Sequence, residues 1–147
     1  RSTLFPYTTL FRSGSAAWFD QASQPCNHLV MPRDVRLEPP LPEFATAEAI
    51  AYFVQKKEQN IGSFEQNLAE THTYLERIHL ALPELAALLG GQPYLNGSAP
   101  GMEDIIIFPV LRNLTLVKGI VFSAKLQAYI ERLSAESKVP LYSDRAL

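Results

Sequence analysis

Few side chains in this sequence have the type and spacing for chemistry. Cys26 is the sole cysteine of the 147 residues. A disulfide framework, a Cys-x-x-Cys redox pair and a zinc ribbon each need a second thiol, so all three are excluded within the chain. A lone nucleophilic thiol needs a nearby positive charge to lower its pKa. The neighbours Gln24, Pro25 and Asn27 supply none, and a packed, idle thiol is expected. His72, Glu76 and His79 fall on one side of a helix at a spacing that suggests a metal. The two histidines are nevertheless seven residues apart, roughly 10 Å along a helix axis, too far for one ion without distortion. A solvated helix flank is expected there. Asn113-Leu114-Thr115 has the glycosylation pattern, but mid-helix, where it should be idle. Arg112 is the most informative polar residue. It sits in an apolar helix, where an unpaired charge is costly, and two roles stay open. One is a structural ion pair or a head group reaching the surface. The other is a contact to another domain or to a thiol substrate.

The elements that would position these residues read as helices throughout. Residues 16–31 form the first, holding Trp18, Phe19, Leu29 and Val30, kinked or split at Pro25 and ending before Pro32. Prolines 32, 39, 40 and 42 mark an extended surface connection. Thr46 caps the next helix, whose inner stripe is Ile50, Phe53, Val54 and Lys57. Gly62 interrupts, and Ser63 with Gln66 has the capping-box spacing. A single helix bent at Gly62 is the alternative. Phe64, Leu68, Leu75, Ile78 and Leu82 carry one buried face onward. Pro83 suits the first turn of a separate short helix ending at Gly90-Gly91. Pro93-Tyr94-Leu95 is extended and Asn96-Gly97 turns. The helix over 102–117 is apolar nearly all round, which predicts a central post buried on all sides, bent at Pro109 and stopped at Gly119. Ser123 caps the last helix, with Leu126, Tyr129, Ile130 and Leu133 facing inward. Residues 139–147 are a tail.

Bulk properties agree with a globular domain. Apolar residues make up 47% and the net charge is −2, which argues against an electrostatic nucleic-acid footprint. The apolar run 105–111 is too short, and too interrupted by Pro109, to span a membrane. A single cysteine fits a reducing compartment, here read as the cytoplasm.

Residues 1–13 have the propensity of a strand but no partner strand later in the chain. The whole string is similar to an in-frame translation of a common sequencing-adapter oligonucleotide, and such a scar is excluded from fold reasoning. Without Arg1 and Arg12 the net charge of the remaining residues is −4. The natural gene is then expected to continue upstream, leaving 14–147 as the domain.

Three stretches carry a resemblance. Pro93-Tyr94-Leu95-x-Gly97 followed by Glu103-Asp104-Ile105 resembles the entry to the central helix of glutathione-transferase-like C-terminal domains. There the aspartate at the third helical position bonds back to free N–H groups, a role that falls here to Asp104. The usual Ser or Thr cap is replaced by Gly101, which has no side-chain acceptor. Tyr52-Phe53-Val54-x-Lys56-Lys57-Glu58 and Phe108-Pro109-x-Leu111-Arg112-Asn113-Leu114-Thr115-Leu116-Val117-x-Gly119-Ile120 resemble the C-terminal domain of the glutaredoxin 2 family. The resemblance covers about residues 16–147. It implies an all-α bundle of the glutathione-transferase C-terminal kind around the 102–117 helix. It also implies a missing N-terminal thioredoxin-like domain that holds a Cys-Pro-Tyr-Cys motif and most of the glutathione site.

The implied activity is glutathione-dependent thiol–disulfide exchange on protein or small-molecule disulfides. This chain would supply a supporting wall and no catalytic residue of its own. Trp18, Phe19 and Met31 are expected in the core, with the alternative that some of them face that domain, and Arg112 is a candidate for facing that domain or its groove. Two other readings remain: a non-catalytic interaction module of the same fold, and the C-terminal domain of a true glutathione transferase. The stretch from Pro109 to Ile120 argues against the latter.

Overall fold

The computed structural model describes residues 14–147, so the reading of residues 1–13 lies outside the described residues. Six α-helices follow in order: α1 Ser15–Asp34, α2 Ala47–Ile61, α3 Phe64–Ala69, α4 Thr71–Leu89, α5 Met102–Leu114 and α6 Ala124–Ser137. Short 3-10 turns at Pro42–Phe44 and Ser143–Arg145 complete the set, and no strand is present among the described residues. The expected all-helical fold is observed.

Three helices start where a hydroxyl was expected to cap them. Thr46 accepts from the N–H of Ala49 at 3.1 Å, Ser63 from Gln66 at 3.2 Å and Ser123 from Leu126 at 3.3 Å. Each removes one of the orphan donors of a helix start. Gly62 breaks the chain rather than bending it. It ends α2 with φ near +81°, a conformation glycine adopts without strain.

Pro32 and Pro83 do not bound helices as expected, and Pro25 does not split one. Helix α1 continues through Pro25 and on through Pro32 to Asp34, and α4 runs through Pro83 without restarting. An interior proline costs about 3 kcal/mol. The buried stripe continues across each one: Ala22, Cys26, Leu29 and Val30 in α1, and Ile78, Ala81, Leu82, Leu85 and Leu89 in α4. Each large apolar side chain buried contributes roughly 1.5–3 kcal/mol, so the packed stripe outweighs the break.

Helix α5 also departs from expectation. It ends at Leu114, and residues 115–117 wind on in tighter turns, each N–H bonding three residues back. The Thr115 hydroxyl takes the Arg112 carbonyl at 2.5 Å, a local bond that competes with the α-helical one. Nor is α5 enclosed on every side. Ile107, Phe108, Leu111 and Leu114 are buried, while Met102 is 45% and Ile105 63% exposed. It shares the interior with α1, which packs against α2, α3, α4 and α5. Helix α6 lays the expected Leu126, Tyr129, Ile130 and Leu133 on the core. The α2 stripe of Ile50, Phe53, Val54 and Lys57 faces inward but is only half-buried.

Candidate functional site

Several side-chain hydrogen bonds converge at the start of α5. Asp104 accepts from the N–H of Gly101 at 2.9 Å through one carboxyl oxygen. Through the other it accepts from the N–H of Leu95 at 2.8 Å and the hydroxyl of Tyr129 at 2.5 Å. Burial and the Asp104 bond push the Tyr129 phenol far up, so it stays a donor. Gly101 indeed offers no acceptor, but the cap is not lost. Asn96, in the preceding turn, accepts from the N–H of Glu103 at 3.0 Å. A Cβ on Gly101 would lie 2.4 Å from Asn96 Cγ, so the glycine makes room for the substitute cap. Asn96 was missed because it lies outside the helix it caps. The turn itself closes as expected, with Tyr94 and Gly97 exchanging main-chain bonds at 3.1 and 3.0 Å.

Beside this junction α1 begins. Ser15 donates to Glu103 at 2.8 Å. Between the two helices runs a groove lined by Phe19, Ser23, Cys26 and Asn27 from α1 and Ile106, Pro109, Val110 and Asn113 from α5. Cys26 lies at its floor, 4% exposed, with its sulfur 3.9 Å from the Val110 carbonyl. Burial, helped by the charge of Asp34, pushes its thiol up to about 12. A thiol so held is a poor nucleophile.

The candidates for an outward-facing role divide. Phe19 and Met31 are half-buried and retain surface. Trp18 lies in the core, as expected: it is 2% exposed and donates through Nε1 to the Ala81 carbonyl at 2.8 Å. Its indole is satisfied inside the domain, as a buried tryptophan requires. Arg112 serves the chain's own tail. Its Nε donates to the Pro140 carbonyl at 2.7 Å and its guanidinium lies 4.3 Å from the Tyr142 ring centre. These are structural contacts, to a main-chain carbonyl and a ring. Among the described residues no group of three His, Cys, Asp or Glu side chains is placed to hold a metal ion. No helix among them is long and apolar enough to cross a membrane.

These features define an all-helical domain of the glutathione-transferase C-terminal kind, organised on an aspartate-locked helix and carrying one unactivated thiol. Comparison with known proteins narrows this. The family model described as glutaredoxin 2, C-terminal domain, matches residues 15–146. The chain is 32% identical over 130 residues to glutaredoxin 2 of Escherichia coli K12, covering 88% of this chain and 59% of the relative, with the same figures for the O6:H1 strain. It superposes on the crystal structure of glutaredoxin 2 from Salmonella typhimurium in complex with glutathione with a TM-score of 0.85 at 31% identity, covering 93% of this chain and 62% of that one. The chain belongs to the glutaredoxin 2 C-terminal domain family. It spans about three fifths of the length of the relatives it matches.

Proposed function

We propose that this chain is the helical half of a glutathione-dependent thiol–disulfide oxidoreductase. Its task is to support and wall the active site of a thioredoxin-like half. The family match over residues 15–146 carries the reading, and the glutathione in the related crystal structure supports the choice of thiol. In that chemistry a thiolate of the thioredoxin-like half attacks a disulfide, and glutathione resolves the mixed disulfide. Cys26, buried and held protonated, takes no part.

The face toward the other half is the α1–α5 groove. Phe19, Ile106, Pro109 and Val110 offer apolar surface there, and Met102, one turn before Ile106 on α5, is exposed. The first residue of α1 is bonded to the first turn of α5, so a domain preceding α1 would emerge beside this surface. Glutathione would be held mainly by that domain, in a reducing compartment such as the cytoplasm.

The test is to recover the coding sequence upstream of residue 14 and assay the whole product. A Cys-x-x-Cys-bearing thioredoxin-like segment is expected within one domain length. The product should reduce glutathione mixed disulfides, with Cys26→Ser as active as the parent. A complete reading frame without that segment would sink the proposal.

A further inference from the structure

His79 has a bonding role that the buried histidine of this fold does not share. The main-chain N–H of Val121 donates to its Nε2 at 3.0 Å. A backbone N–H can only donate, so Nε2 is an acceptor and the ring is neutral, with its own proton on Nδ1. An imidazolium carries a proton on both nitrogens and accepts nothing. Protonation of His79 and this bond therefore exclude each other. His28 differs. Its Nδ1 lies 2.7 Å from the Asn67 amide oxygen, whose nitrogen is committed to the Ile61 carbonyl. His28 donates there, and a second ring proton leaves that bond intact.

The Val121 bond joins α4 to the segment 118–123 that links α5 to α6. This segment turns at Gly119, with φ near +100°. It is fixed at one end by the bond from Ile120 to the Val117 carbonyl and at the other by the Ser123 cap. Val121 lies between, with its residue surface 69% exposed, so its N–H rather than its side chain holds it to α4. There it lines, with His79, a groove shared by Leu82, Pro83, Ala86 and Leu126, of which Leu82 and Leu126 are buried.

We propose that His79 is a pH-sensitive latch on the 118–123 segment. The neutral imidazole holds Val121 against α4; protonation frees its N–H and loosens Val121 between Ile120 and Phe122, whose side chains stay packed against the core. Two donors then face each other, so repulsion adds to the lost bond. Glu76 and His72, on the same helix, share a shallow surface pocket with His79. The facing wall presents Val121, Ser123 and Leu126, with no charged side chain. Lys125 is directed to the Ala86 carbonyl at 3.5 Å, and Lys118 is exposed at the foot of the segment.

The test is amide exchange at Val121 in the full chain between pH 8 and pH 5, corrected for intrinsic rates, with the His79 ring followed by NMR. Protection of Val121 should fall about 3- to 10-fold, the worth of one hydrogen bond, with the midpoint of the His79 ring. In His79→Gln the side-chain amide oxygen accepts at every pH, and protection should stay flat. His72→Gln should behave as the parent. Val121 protection that ignores the His79 titration, or a His79→Gln chain that follows the parent curve, overturns the proposal.

Discussion

Asp34 ends α1, where the helix dipole already disfavours a negative charge. Burial, then the nearby charge of Glu43, pushes its carboxyl up to about 7 from an ordinary 3.8. The sign of the stability effect follows. Below the unfolded value both states hold the proton and nothing is lost. Between the two values the unfolded chain ionises first, so stability falls as pH rises through the folded value. At about 1.4 kcal/mol per pKa unit the effect is bounded near ~4 kcal/mol. Asp34→Asn should melt several degrees above the parent at pH 8 and together with it at pH 4; an equal gap at both would contradict this. Cys26 gives a second residue-scale expectation. With its thiol near 12 and the side chain buried, thiolate at pH 8 is about one part in ten thousand. A disulfide dye should label it only after unfolding in urea, and labelling of the folded chain at the rate of an exposed thiol would refute the geometry.

At the scale of the element, the start of α5 makes a coupled prediction. Asn96→Ala removes the acceptor for Glu103 N–H and should cost about 1 kcal/mol, the usual worth of a cap. Gly101→Ser alone should also destabilise, because its Cβ meets Asn96. Paired instead with Asn96→Gly, which also removes the Asn96 Cβ that would lie 2.8 Å away, the serine has room and supplies its own acceptor, so that double variant should be more stable than Gly101→Ser or Asn96→Gly alone by urea unfolding. Simple additivity would show that the two do not share one role. The same helix shows what the sequence made legible. Asp104 and the hydroxyl caps at Thr46, Ser63 and Ser123 were readable because donor and acceptor lie within one turn. Asn96 and Tyr129 were not, because they reach α5 from another turn and another helix. Pro32 read as a stop and Pro83 as a fresh start because a local rule was applied where tertiary packing decides. The apolar circumference of α5 read as full burial, yet Ile105 stands exposed. Composition reports that a face is apolar without saying what covers it.

For the whole molecule, the α1–α5 groove offers apolar surface, and Met102 and Ile105 stand exposed on α5. Exposed apolar surface of this kind binds other surfaces. Residues 14–147 expressed alone should bind an apolar dye and self-associate, and Ile105→Ser with Ile106→Ser should reduce both. A chain that does neither would remove the case for an interdomain face. The same protein with glutathione should show no disulfide reductase turnover, since its thiol is buried and protonated; measurable turnover would place the chemistry in this chain.

Three arginines hold loops and tail in place through main-chain carbonyls. Arg112 reaches Pro140, Arg132 reaches Pro93 and Arg145 reaches Pro39. Every residue type presents a carbonyl, so the identity of the acceptor residue is free to drift while the donor is not. These bonds also need no ionised acid, and they persist at a pH where carboxylate pairs have been titrated away. In evolutionary terms the fold spends its constraint on one partner of each contact. Among diverging copies of this domain the arginines should stay while the residues they grip change around them.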